Sequence, residues 1–477
     1  MPTSSSTFAA PCIRSEFSGA VFGDARLSER LIQLGESCAA GPDKSLPKAS
    51  GSPQALTAAY RFFGNDGVTA AMIVEPHRKL TVQRMAEAKR VLVLHDTTDF
   101  SFPGERDGLG PLHGTSERGF LMHCSLAVTA DGARRPLGVI AANTWTRNDT
   151  PRNKKPNGKK LAGSDYAKLK DKESNRWGEQ VGEVAERVGA SAELIHVMDR
   201  EADAYALLSH LIGNGHRFVI RMSKDRVARD ADADADVDEW EELRSLVERA
   251  NVVAERDVQL SRRAASSIPS VTKTFPPRDR RVARLAISAT KVRLRRPRYE
   301  HEKAPEITVN IVRVHELDTP PEMVPVEWVL LTTESITTPD EVLAIVDYYR
   351  ARWLIEEYFK ALKTGCQIEK LQLESYASLR NALALYIPIA WSILLLRNLA
   401  RDEPHSPAVR VLSPTQIRVL RAVGPMKLGA APTAGEAMLA VAMMGGYIKH
   451  KIGPGWLVLA RGMQDLVLHE PERANET

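Results

Sequence analysis

Apolar residues first recur at helical spacing. "GDARLSERLIQLGESCAA" and "PQALTAAYRFFGN", within residues 18 to 90, predict helices divided by a Gly/Pro/Ser-containing loop and punctuated by Arg26, Arg30 and Arg61. Then the period changes. "RVLVLHDTTDFSF" is a continuous apolar run that ends in Asp96, as expected of a buried strand. "MHCSLAVTA" and "RPLGVIAANTW" predict two more strands around a turn at Asp131-Gly132. A helix from about Glu173 to Val188 leads to a strand from Glu193 to Met198, which delivers Asp199 at its C-terminal end. Another helix follows, and then "HRFVIRM", a strand carrying Arg221. Residues 224 to 333 differ, with acidic and basic runs and β-rich pieces such as "ITVNIVRVHEL" and "VEWVLLTTE", and read as an insertion. The pattern turns helical again at 338 and stays so from 371 to 477, with no internal repeat.

One helix carries an unusual mixture. In "TTPDEVLAIVDYYRARWLIEEYFKALKTG", Thr338 is an N-cap, Pro339 fits the first helical position and Glu341 completes a capping box. Gly365 can close the other end as a left-handed cap, which predicts a helix of about 25 residues. Tyr349, Arg352, Glu356, Lys360 and Lys363 fall within about 80° of one another around such a helix. Leu343, Ala351, Leu354, Tyr358, Ala361 and Leu362 lie opposite and can be buried. Taken alone, the polar face fits either a solvated surface laced by i, i+4 ion pairs or a site in which one carboxylate stands among cations.

Composition narrows the classes. The 477 residues, 43% hydrophobic and 26% charged, describe a soluble protein of about three domains. The net charge is only +5, but it is unevenly spread. The stretch from Arg147 to Lys160 holds six cations and one anion, and that from Arg278 to Arg298 nine cations and one anion. An acidic run at 230 to 242 lies between them. Basic clusters of this kind indicate a polyanionic partner, although each alone could be a solvated loop. Cys12, Cys38, Cys124 and Cys366 have no paired spacing, which argues against a zinc site or a disulfide framework and suits a reducing cytoplasm. The N-terminus lacks the apolar core of a signal peptide. The longest apolar run, Ala382 to Leu396, is 15 residues against the roughly 20 that span a bilayer. A buried helix is expected there, and no membrane partner.

Two aspartates, Asp96 and Asp199, are thus expected at strand ends, where open α/β sheets place their sites. Either could equally be a turn residue or a helix cap. Together with Glu356 they would repel one another unless cations sat between them, and hard oxygen donors suit Mg²⁺ or Mn²⁺. Two such ions can activate an attacking oxygen and stabilise a leaving one in phosphoryl transfer.

The spacing of Tyr349, Arg352, Glu356 and Lys363 resembles the signature of the bacterial cut-and-paste DDE transposases of the insertion-sequence-four family, most closely those of the Tn-five type. "DREAD" at 199 to 203 resembles the second-aspartate motif and "HDTTDFSF" the first. "RGFLMHCS", "KESNRW", "EWVLLTTE" and the N-terminal "GDARLSER…AAYRFFGN" are also similar to the family, nearly end to end. The resemblance implies an α/β fold: an RNase H-like catalytic core, a mixed sheet flanked by helices, with a β-rich insertion at about 225–333. Residues 76–370 would form this core. Helical domains would flank it, 1–75 binding transposon ends and 371–477 supporting dimerisation.

Asp96, Asp199 and Glu356 would be the catalytic metal ligands, with two Mg²⁺ ions for which Mn²⁺ substitutes. Tyr349, Arg352 and Lys363 would hold the DNA phosphate. Trp328, 21 residues before Tyr349, matches the tryptophan that receives a flipped base, with a core aromatic as its other reading. Lys360, Arg221, Arg26, Arg30 and Arg61 complete the expected DNA contacts. The implied partner is double-stranded DNA, both transposon ends and target, bound by a homodimer in the bacterial cytoplasm. The implied reaction nicks the transposon end, forms a hairpin and joins the 3′-hydroxyl to target DNA. An RNase H-like nuclease without strand transfer, or an inactive DNA-binding regulator, are the alternatives.

Overall fold

The computed structural model describes residues 13–113, 116–149, 173–232, 240–260, 262–263, 276–300, 303–321, 323–448 and 453–468. The basic run from Arg147 continues outside the described residues beyond Asp149, and so does the middle of the acidic run, 233–239. The chain divides into two compact units, one of Met1–Lys160, Gly182–Glu193 and Trp353–Thr477, the other of Leu161–Val181 and Leu194–Arg352.

In the first unit, short-range chemistry starts three of the N-terminal helices. Asp24, Ser52 and Thr69 accept backbone N–H groups as N-caps of the helices Ala25–Ala39, Pro53–Phe63 and Ala70–Ala88. Strand β1 (Arg90–Phe102) pairs antiparallel with β3 (Arg118–Thr129), which also pairs with β2 (Gly110–Pro111) and β4 (Pro136–Trp145). The helix Tyr376–Asp402 is the unit's central apolar element. It is longer than the apolar run suggested, and by length and composition alone it could cross a membrane, but 89% of its apolar window is buried inside the protein. Trp391 within it donates to Pro136 O at 3.2 Å. Beside it lies a buried polar cluster. His77 Nδ1 is 2.6 Å from Glu16 Oε2, its Nε2 accepts from Val139 N at 3.0 Å, and Arg84 pairs with Glu16 while its guanidinium covers the Trp391 ring. Because Nε2 accepts, the Nδ1 proton points at Glu16. Burial holds the His77 pKa below its ordinary value. Burial alone would raise that of Glu16, yet the bonds and charges of His77 and Arg84 bring it below the usual carboxylate range.

The second unit is built on one mixed sheet. Strands β5 (Glu193–Met198) and β6 (Arg217–Arg221) are parallel, and β6 continues antiparallel into β12 (Glu327–Thr332), β11 (Glu306–Glu316) and β10 (Arg281–Arg295). On its far side β10 pairs with β7 (Val227–Asp230) and β9 (Val252–Leu260), and β8 (Glu241–Glu242) pairs with β7. The expected β-rich stretch is therefore a set of sheet strands. Its core gathers Phe218, Ile220, Leu208, Val292, Ile311 and Leu331. The basic run 278–298 is partly neutralised within this sheet, for Arg281 pairs with Glu316 and Arg284 with Glu255. The chain order of three antiparallel strands, helix, strand, helix and parallel strand, with helices alongside, fits an RNase H-like core.

Two sequence expectations need correction. Asp96 does not end its strand. The buried run stops at His95, but β1 goes on to Phe102 because every residue from Val91 to Phe102 keeps a partner on β3. The long helix after Thr338 is also not continuous. The capping box of Thr338 and Glu341 is present, but the helix Pro339–Ala351 turns at Arg352 into Trp353–Lys360. A π-helical turn, Ala361–Gly365, then closes it, with Cys366 N donating to Ala361 O at 2.8 Å. The left-handed residue after this turn is Gln367, at φ 49°, and not Gly365.

Candidate active site

In the first unit, Asp96 stands opposite Cys124 and its Oδ1 accepts from Thr97 N at 2.8 Å. Burial, and after it the Asp96 charge, pushes the Cys124 thiol pKa far up, which keeps it a protonated, inert neighbour. The helix Trp353–Lys360, which bears Glu356, packs against β1. Glu356 is half-buried, and the adjacent Glu357 is buried and held by Arg401 at 2.9 and 3.1 Å. Lys363 reaches the same strand, 3.4 Å from Asp99 Oδ1 and 3.8 Å from Glu369 Oε1, with its ammonium above the Phe100 ring. Lys360 is exposed and lies over Trp353.

In the second unit, Asp199 follows β5 and caps the short turn Arg200–Ala202, accepting from Glu201 N at 2.7 Å. This is the strand-end placement expected from the sequence. Asp203, four residues on, is buried. It pairs with Arg226 and accepts from Ser223 N at 2.7 Å and Lys224 N at 3.1 Å. Sequence reasoning had passed over it, and only the later Arg226 could have hinted at its role. Tyr349 is buried, with its ring 5.4 Å from that of Trp328 and inclined by 64°. Trp328 is half-buried on β12 and so is not a fully enclosed core aromatic. Arg352 is half-buried, and Arg221 donates to Glu327 O at 3.3 Å.

In each motif a neighbouring carboxylate serves the fold. Asp203 and Glu357 serve arginines, and Asp99 serves Lys363. Asp96 and Glu356 in the first unit and Asp199 in the second are half-buried carboxylates, whose oxygens are donors of the kind that hard divalent ions take. Among the described residues no ready group of three or more His, Cys, Asp and Glu side chains stands as a metal cluster. Of the N-terminal arginines, Arg26 and Arg61 are exposed and Arg30 half-buried, and Arg26 is paired with its helix cap Asp24 at 3.0 Å.

Residues 10–68 match the family Transposase DNA-binding, and this segment contains Arg26, Arg30 and Arg61. Residues 174–391 match the family Transposase DDE domain, which takes in Asp199 and Glu356, while Asp96 precedes it. Among solved structures the chain is similar to a piggyBac transposase synaptic complex with hairpin DNA, at 10% identity and a TM-score of 0.33, over 98% of this chain and 80% of that one. With a DNA-binding segment of that family followed by a DDE domain, the chain belongs to the DDE transposases.

Proposed function

We propose that this enzyme cuts a mobile element out of duplex DNA and pastes it elsewhere, in the manner of the insertion-sequence-four family and its Tn-five type. The observation that supports this best is the pairing of the two family matches with Asp96, Asp199 and Glu356 in the family's order. These three carboxylates would hold two divalent ions, Mg²⁺ with Mn²⁺ as substitute. When bound, the ions would supply activation of the attacking oxygen and neutralisation of the leaving one.

The chain's own side chains do the positioning. Arg352, Lys363 and Tyr349 orient the scissile phosphate, two of them by charge and one by its phenol. Lys363 exchanges its contact with Asp99 for DNA when substrate arrives. Lys360 and Arg221 add charge along the duplex, and Arg26, Arg30 and Arg61 bind the element's ends. Water attacks one strand, the freed 3′-hydroxyl attacks the other to form a hairpin, and Trp328 stacks the base that the bend expels. Residues 1–75 serve end binding, 76–370 catalysis and 371–477 dimerisation on DNA, in the bacterial cytoplasm.

Purified protein, duplex carrying the element's ends and Mg²⁺ should yield nicked, hairpin and strand-transfer products in turn. Nicks without transfer would replace this reading by that of a nuclease, and binding without nicks by that of a regulator. Trp328→Ala should nick at close to the normal rate and accumulate nicked DNA with little hairpin. An unchanged hairpin-to-nick ratio in a destabilised variant would instead assign Trp328 to packing.

A further inference from the structure

The first unit holds a cavity of about 230 Å³ that the transposition chemistry does not use. One water needs only about 10–15 Å³ of such space, so the cavity has room for a small molecule. Its lining combines apolar side chains such as Val74 and Met122 with two guanidiniums, Arg78 and Arg380. Arg78 is 6% exposed, and its Nε has no hydrogen-bond partner. Its Nη1 stands 3.9 Å from Glu183 Oε1, a loose pairing, and that carboxylate also accepts from Asn143 at 2.7 Å. The Nε of Arg380 is likewise buried and unpartnered. A buried cation with an unmet donor is costly, because desolvation is not offset by a bond.

The backbone adds to the same field. Thr69, Ala70 and Ala71 at the cavity wall form the N-terminus of the helix Ala70–Ala88, where Thr69 takes the Met72 N–H at 3.3 Å. The N–H groups of Ala70 and Ala71 have no helical acceptor, and the helix dipole places partial positive charge there. Ala71, Val74 and Arg78, at i, i+3 and i+7, share one face of that helix, so its N-terminus and the Arg78 guanidinium look into the same space. Thr144, hydrogen-bonded to Tyr376 at 2.8 Å, and Asn143 supply neutral polar groups at the wall. In register, Ala142 and Thr144 stand opposite Cys124 and Met122, which face Asp96 and Thr98 on β1. Met122, Ala142 and Thr144 therefore share a sheet face with Asp96.

We propose that this cavity binds a small free oxyanion of the phosphate class, orthophosphate or pyrophosphate, held by Arg78, Arg380 and the first N–H groups of the helix Ala70–Ala88. The proposal does not rest on the transposase reading. Its test is a titration of the full chain with sodium phosphate and with pyrophosphate, ionic strength being matched throughout with sodium chloride. Calorimetry should show saturable binding, accompanied by a rise in melting temperature. Arg380→Met should weaken that binding about tenfold or more, the loss of a charged hydrogen bond, and Arg78→Met should abolish it. If Arg78→Met fails to fold, the half-buried Arg380 still decides the matter. No saturable signal above chloride, or equal binding by a folded variant, overturns the proposal. A duplex oligonucleotide is run in parallel to separate the two sources of phosphate. If free phosphate does nothing while both variants lose affinity for duplex, the arginines grip a DNA phosphodiester, and the free-anion site falls.

Discussion

The strands that carry Asp96 and Asp199 solve the same task in opposite ways. β1 is antiparallel to β3, and its pairing continues well past the unbroken buried run that ends at His95, so Asp96 sits inside a regular strand. β5 is parallel to β6 and stops at Met198, so Asp199 begins a turn and its carboxylate closes that turn. An antiparallel partner can follow a strand beyond the core because a solvated face costs it little. A parallel strand is buried on both faces and ends where burial ends. One aspartate therefore owes its position to hydrogen-bond register, the other to a cap.

The largest expected effect tests both positions at once. Asp96→Ala, Asp199→Ala and Glu356→Ala should each drop cleavage to background with DNA binding intact. Asp199→Ala should cost the most stability of the three, about 0.5–2 kcal/mol for the lost cap. Asp199→Asn should keep the stability but not the cleavage. Normal nicking by any of these variants removes that residue from the site, and equal melting curves for Asp96→Ala and Asp199→Ala erase the contrast between strand and cap.

The neighbouring aspartates sharpen the contrast. Asp203→Ala strands the mostly buried Arg226 and should cost about 3–5 kcal/mol in chemical denaturation. Asp99→Ala, on β1, breaks an exposed pair with Lys363 and should cost no more than about 1 kcal/mol. Similar losses for the two would mean that the loop after β5 is not held as described.

A smaller effect concerns acid. His196 on β5 is fully buried, and burial, then the His216 charge, lowers its pKa from 6.5 to about 3. The unfolded chain therefore binds the extra proton first. Stability is full above pH 6.5 and is lost as pH falls towards about 3. Glu16, lowered from 4.5 beside His77, adds a loss of the same sign that begins near pH 4.5. Melting temperatures between pH 7 and 4 should fall less steeply in His196→Gln than in the parent, and an identical slope would dismiss the histidine.

The smallest expected effect lies in the N-terminal segment. Arg26 is already paired with Asp24, so Arg26→Ala should lower the salt dependence of end binding less than Arg61→Ala does. A full phosphate contact contributes about 0.9 log units per log salt. Equal slopes in filter-binding titrations would show that the Asp24 pair gives way to DNA.

Local pattern was enough to read much of this protein. The capping box at Thr338 and Glu341, the strand ending at Met198 and the spacing of Tyr349, Arg352, Glu356 and Lys363 depend on residues near in sequence. So does the order of the three carboxylates, from which the transposase resemblance followed. The full length of β1 was not legible, because it depends on β3, and neither was the division of the helix at Arg352 or the π turn at Ala361–Gly365. Sequence also could not say which neighbouring carboxylates are spent on structure. Asp203 is taken by Arg226, Glu357 by Arg401 and Asp99 by Lys363, and all but the first of these partners lie more than forty residues away. Charge runs misled for the same reason, since Arg281 and Arg284 are matched by Glu316 and Glu255 from other strands. Periodicity and capping act over one or two turns, and a sequence displays them directly. Ion pairing and strand register act across space, and only the folded chain decides which charges remain for a ligand.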